Sequence, residues 1–312
     1  MDNIVVAVNA VVPFLFYISF GYLIRALHIV DEAFLTRLNQ MVFKAFFPIM
    51  MFYNTYHREG ELEIDTKLIV VGAVSVLSVI LALFLVVPKI VKGNPQRGVI
   101  IQAIYRSNFV LFALPLTINV FGQSAAPIAT MMIAIIIPIY NVFAIVILEY
   151  FRGGSISFLP LMKRVLSNPM IMGVIVGGLF LLLGIQLPPC IETPIAQFSN
   201  LTTPLALFIL GGTLHFSSML HHANYLIPTL LIKMVVLPAI MLAVTVVLHF
   251  DPLSRFVLFS MYATPVATAS YSMASNMDGD GALAGELVVA STALSVVTLF
   301  FWIFFLRTVG LI

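Results

Sequence analysis

Three basic side chains, Lys44, Arg106 and Lys233, lie well inside apolar runs of this sequence, and no Asp or Glu does. Glu149, Glu192, Asp251, Asp278, Asp280 and Glu286 all fall at the ends of such runs or between them. A charge at the centre of a bilayer costs about 2.5–3.5 kcal/mol on insertion scales, so each cation is a functional candidate by default. Cations without acids suit an anionic ligand, or they cap the negative C-terminal ends of helices. They do not suit a cation-exchange site of paired carboxylates. Lys and Arg can also snorkel along their aliphatic stems to the headgroups. Arg37 fits that reading, Lys44 and Lys233 fit either, and Arg106 adjoins a polar interruption that favours a ligand.

That interruption is Arg106-Ser107-Asn108, near the middle of an apolar run and followed by Pro115. A second run carries Ser260, Thr264, Thr268 and Ser272 at helical spacing, one polar stripe with Pro265 in its middle. Proline removes a backbone donor and clashes with the preceding turn, so a helix breaks or kinks there. In a bilayer the freed groups are tolerable only where protein or a water-filled cavity satisfies them. Two broken helices meeting at the midplane would present half-helix ends, whose N-terminal sides suit an anion. A packing kink is the alternative for either break alone. Tyr140-Asn141, after Pro138, could face such a site, although Asn amides also bond across helices.

Other polar residues point to packing. Ser291, Ser295 and Thr298 read as a small-residue face, and Gly173, Gly177 and Gly178 as a point of close helix approach. His221-His222 reads as interfacial solvation with nothing beside it to complete a metal site. The single cysteine, Cys190, excludes an internal disulfide and a cysteine-clustered metal site.

The elements that must position these residues follow from composition. The chain has 312 residues, 61% hydrophobic and only 9% charged, with a mean hydropathy of +1.11. Soluble domains carry roughly 25% charged residues, so soluble enzymes, nucleic-acid binders and disordered proteins are excluded. The net charge of +2 requires no anionic macromolecule, because basic loops of a membrane protein produce it. The first apolar run lacks a basic leader and a small-residue cleavage site, and reads as a retained span. Spans of ~20 residues are expected at 3–26, 33–56, 67–88, 97–120, 124–150, 168–187, 192–215, 224–249, 254–277 and 284–307. Odd loops collect Arg25, Lys89, Lys92, Arg97, Arg152, Lys163 and Arg164, while the second loop carries Glu59, Glu61, Glu63 and Asp65. The basic face is expected to be cytoplasmic, with both termini extracytoplasmic.

Landmarks recur at half the chain length. Gly21 and Gly178, and Tyr105 and Tyr262, stand 157 residues apart, and Pro48 and Pro204 stand 156 apart. An odd number of spans per repeat forces opposite orientations in the membrane, the inverted architecture of many secondary transporters. Motifs of zinc proteases, serine hydrolases and phosphate-binding loops are missing. Asp278-Gly279-Asp280 has no second acid in a facing span, as an aspartyl protease would need. The expectation is a non-enzyme without cofactor or metal, and any transport is secondary or passive.

Several segments then carry a likeness. They are Asn168-Pro169, Gly184-Ile185-Gln186-Leu187-Pro188, the stretch Thr203-Pro204-Leu205-Ala206-Leu207-Phe208-Ile209-Leu210-Gly211-Gly212-Thr213-Leu214, Ala263-Thr264-Pro265-Val266-Ala267, Ser291-Thr292-Ala293-Leu294-Ser295 and Glu149-Tyr150-Phe151-Arg152-Gly153. With these the sequence resembles the auxin efflux carrier family, whose bacterial members include malate and malonate permeases. The resemblance implies an all-α polytopic membrane protein of ten transmembrane helices, two inverted five-helix repeats with broken, crossing helices 4 and 9. It implies a substrate beside the crossing and makes Asn108 and Pro265 the crossing residues. Plant carriers have proline at both crossings, and this chain has Asn108 at the first. The stretch from Arg152 to Ser167 is too short for their regulatory loop, so a small carboxylate is a better expectation than auxin.

The expected organisation is a first five-helix repeat at 1–151, a cytoplasmic connector at 152–167 and a second, inverted repeat at 168–312. Helices 3–5 and 8–10 would form a scaffold, and helices 1–2 and 6–7 would move against it. The expected function is a secondary carrier moving a small organic anion, a mono- or dicarboxylate, across the cytoplasmic membrane by alternating access. Its candidate substrate residues are Arg106, Ser107, Asn108, Asn141, Thr264, Pro265, Thr268, Lys44 and Lys233. The alternative is a membrane sensor that binds such an anion without moving it. Expected partners are the lipid bilayer and a coupling ion, proton or sodium, with a homodimer left open and no nucleic acid.

Overall fold

The computed structural model describes residues 2–56, 65–152, 163, 166–213 and 222–312. Arg58, Glu59, Glu61 and Glu63 of the acidic loop, Arg164, most of the connector and His221 lie outside the described residues. Among the described residues every regular element is helical, and the one β-like feature is an isolated bridge.

In chain order the helices are α1 (Asp2–Ala26), α2 (Glu32–Met41, a π-helical turn Val42–Phe46, then Phe47–Tyr56) and α3 (Thr66–Ile90). Next come α4, in two pieces α4a (Asn94–Tyr105) and α4b (Phe109–Phe121), and α5 (Ala126–Arg152). The second half has α6 (Pro169–Leu182), α7 (Pro189–Thr213) and α8 (Ala223–Leu231, a π-helical turn Ile232–Val236, then Leu237–Val247). It ends with α9, in two pieces α9a (Pro252–Ala263) and α9b (Ala269–Asn276), and α10 (Gly281–Thr308). Five of these, α3, α5, α7, α8 and α10, are long and apolar enough to cross a membrane.

Four aspartates start helices. Asp31, Asp65, Asp251 and Asp280 each accept a hydrogen bond from a first-turn backbone N–H, Phe34, Leu68, Leu253 and Leu283 respectively. Each satisfies a donor that the helix itself leaves unpaired. The Asp251 carboxyl sits below the usual carboxylate range: partial burial pushes it up, but the Ser254 hydroxyl and the backbone N–H groups of Ser254 and Leu253 outweigh that. Basic residues close helix ends. Arg97 donates to the Pro88 and Val91 carbonyls after α3, and Arg255 donates to the Phe250 carbonyl after α8.

Glycine sets the tightest helix contacts. A Cβ on Gly21 of α1 would stand 1.9 Å from the Phe208 carbonyl oxygen of α7, and one on Gly177 of α6 would stand 2.6 Å from that of Phe52 in α2. The second contact repeats the first 156 residues along (21 to 177, 52 to 208). This corrects the landmark Gly178, whose Cβ position meets nothing within 4 Å. Gly173 packs on the Pro48 carbonyl in the same interface. Backbones approach this closely only where no side chain intervenes, so α1 with α7, and α2 with α6, are locked pairs.

Candidate functional site

Both breaks lie where the sequence places them. Arg106-Ser107-Asn108 separates α4a from α4b, and residues 264–268 separate α9a from α9b. The expected stripe from Ser260 to Ser272 is therefore not one helical face, because Pro265 interrupts the period that would align it. The two breaks cross antiparallel at Ser107 and Val266. The Asn108 N–H donates to the Pro265 carbonyl at 2.8 Å, and the Ala267 N–H donates to the Arg106 carbonyl at 3.3 Å. These two bonds exchange when each residue is moved 159 places (108 to 267, 106 to 265). Asn108 thus corresponds to Ala267, and Pro265 to Arg106, although Asn108 and Pro265 bond one another. Among breakers this pairing satisfies groups that a bilayer could not.

The remaining bonds come from neighbouring helices. The Val266 N–H donates to the Ser291 hydroxyl of α10 at 3.0 Å. Ser291, read from sequence as packing, therefore holds one arm of the crossing. The Met261 carbonyl, at the end of α9a, accepts from the Tyr140 hydroxyl of α5 at 3.1 Å and from the Ser107 hydroxyl. Lys233, from the π-helical turn of α8, donates to that same Ser107 oxygen. The ammonium thus lies behind the C-terminal end of α9a, where the helix dipole favours positive charge.

Arg106 is engaged differently. Its guanidinium donates to the Asn141 side-chain oxygen of α5 and to the Met273 sulfur of α9b. The Asn141 amide in turn meets the Met51 sulfur of α2. Both cations are buried, Lys233 completely, and neither has a carboxylate within 4 Å among the described residues. Among the described residues, two polar side-chain atoms at the crossing have no hydrogen-bond partner: Asn108 Nδ2 and Thr264 Oγ1, on residues 7% and 0% exposed. Orphaned buried polar atoms are costly, about 1–3 kcal/mol each, and call for a reason. Both α4b and α9b start at the crossing, so partial positive charge from two half-helix N-termini meets there.

Arg106, Ser107, Asn108, Asn141, Thr264, Pro265, Thr268 and Lys233 are all buried at or beside this crossing. Lys44 is not among them. Its helix turns it to the exposed surface, where its stem can snorkel, while Val42 and Phe43 face inward. Sequence reasoning missed a second polar cluster. Glu286, expected at a span end, lies in the second turn of α10 at 1% exposure and meets His222 Nδ1 at 3.0 Å. The His222 ring is thus not simply solvated. Glu286 also borders a cavity of ≈ 290 Å³ between α2, α7, α9b and α10, with Glu32, Thr213 and Tyr271. No spacing rule links 222 to 286, so only tertiary packing reveals that pair.

Comparison with family models matches residues 155–303 to the family described as Membrane transport protein, the auxin efflux carriers. That match, over just under half of the chain, supports membership of the family. The match covers α6 to α10 up to residue 303, the part that holds Lys233, the α9 break and Ser291. No curated protein matches the chain. The match and the apolar helices indicate a multi-pass membrane transport protein, and the matched family is one of transporters.

Proposed function

We propose that the chain is a secondary carrier of a small organic anion, a mono- or dicarboxylate, that binds at the α4–α9 crossing. One observation carries this reading: Asn108 Nδ2 and Thr264 Oγ1 are buried without partners beside two half-helix N-termini, with Lys233 and Arg106 close by in sequence or through Ser107. A carboxylate has acceptor oxygens for both donors and a charge that suits the cations. The amide nitrogen of Asn108 can only donate, which suits an acceptor on the ligand.

The architecture we infer is ten spans in two inverted five-helix repeats. Its support is recurrence: the Gly21 and Gly177 contacts at an offset of 156, Arg97 and Arg255 at 158, and the exchanged crossing bonds at 159. In this reading α3–α5 and α8–α10 form the scaffold. The glycine-locked helices α1, α2, α6 and α7 form the moving body. Polar contacts between the bodies, among the described residues, include Ser272 to Asn39 at 2.8 Å, Thr213 to Tyr271 at 2.6 Å, Asn141 to Met51 at 2.7 Å and Asn168 to Met277 at 3.9 Å. Alternating access would break and remake these while the crossing stays on the scaffold. The membrane is the cytoplasmic one, with both termini outside, on the distribution of Lys and Arg.

The test is uptake of labelled malate and malonate into proteoliposomes, with and without imposed proton and sodium gradients. Flux above that of empty liposomes is expected. Binding without flux would instead make the protein a sensor.

A further inference from the structure

We propose that Lys233 is a proton-binding site and that each anion crosses together with one proton held on its amine. This rests on the carrier reading above and names the coupling ion of the same site. Lys233 is wholly buried, and its amine donates to the Ser107 hydroxyl, which donates onward to the Met261 carbonyl. Ser107 is the residue beside Asn108, so the amine is bonded to the break that carries one of the orphaned donors.

The groups facing this turn leave its charge uncompensated. From α4 and its break come Arg97, Tyr105 and Arg106, from α9a Arg255 and Tyr262, from α10 Glu286 and Arg307, and from α8 itself His222 and Tyr225. Arg97 and Arg255 close helix ends far along their helices. Glu286 meets His222 at one end of α10, and Arg307 lies at the other. The Tyr105 and Tyr262 phenols are bonded to the Tyr140 carbonyl and the Ser75 hydroxyl, and Arg106, the residue before Ser107, carries a like charge. Among the described residues no carboxylate pairs with Lys233, and an anion at Asn108 and Thr264 would supply the counter-charge. By linkage the anion strengthens proton binding by the same factor as the proton strengthens anion binding.

The step balances without covalent chemistry. A neutral Lys233 amine takes one proton as the anion enters, giving an ammonium–anion pair. Both are released on the other side, and the empty carrier returns with a neutral amine. Moving an unpaired ammonium through the closed state is thereby avoided.

The experiment titrates the purified, weakly buffered protein with malonate and with malate in the presence of a pH dye, beside Lys233→Arg and Lys233→Met. At alkaline pH the wild type is expected to take up one proton per anion bound. Lys233→Arg keeps its charge at every pH, and is expected to bind with no proton uptake. In proteoliposomes it should exchange anion for anion yet lose net uptake driven by an inward proton gradient. Lys233→Met should bind about 100-fold more weakly, close to the upper value for the loss of one contact to a charged group. Anion binding by the wild type without proton uptake, or uptake that persists in Lys233→Arg, overturns the proposal and leaves the carrier standing. Neither binding nor flux of either anion in the wild type would remove the carboxylate reading as well, so the two failures are distinct.

Discussion

Lys44 and Lys233 are alike in sequence and opposite in structure. Each is a lone lysine within an apolar span, and each falls on a single π-helical turn, Val42–Phe46 in α2 and Ile232–Val236 in α8. Lys44 is exposed on its helix, while Lys233 is completely buried and bonded to the crossing through Ser107. A π turn admits one residue more than the α-helix and so rotates the faces that follow it, which is why such turns gather at functional sites. Depth in an apolar run therefore does not distinguish a snorkelling cation from a buried one. The helix face does, and the π turn resets that face.

The comparison can be broken by charge removal at both positions. Lys233→Met is expected to weaken anion binding by about 100-fold, close to the upper value for a contact to a charged group. Tracer binding to the purified protein measures it, and an unchanged affinity would make the two lysines equivalent. Arg106→Gln extends the comparison to the other buried cation. It deprives Asn141 of its charged partner and should lower stability by about 2 kcal/mol, read as thermal unfolding in detergent, where the exposed Arg37→Gln should show no loss.

Smaller effects sharpen the account of what holds the crossing. Ser291→Ala removes the acceptor of the Val266 N–H and should cost about 1 kcal/mol, with flux reduced more than expression. Lys44→Gln is the smallest change, within about 0.5 kcal/mol in stability and without effect on transport. A large loss there would mean that its side chain reaches the site in another state of the carrier.

Much of this was legible from residue types. Arg106-Ser107-Asn108 and Pro265 marked the breaks because polar and proline residues cannot continue a helix in an apolar span. Asp251 and Asp280 stood outside the apolar runs, where their short carboxylates accept orphan N–H groups of the helices they start. What stayed hidden depended on phase and on long-range packing. Helical spacing joined Ser260 to Ser272 across a break that resets the period. An offset of 157 chose Gly178, although the packed glycine is Gly177 and the offset itself drifts from 156 to 159 along the chain. The pairs His222–Glu286 and Lys233–Ser107 join residues 64 and 126 apart, a separation that no local pattern encodes.

The central claim is that the anion binds where Asn108 and Thr264 leave donors unpaired. Malonate and malate uptake into proteoliposomes by Asn108→Leu, set beside wild type and Lys44→Gln, tests it most directly. The prediction is flux at the empty-liposome level for Asn108→Leu, from protein that purifies and melts like wild type, with Lys44→Gln unaffected. Undiminished flux in Asn108→Leu would remove the crossing from the transport path.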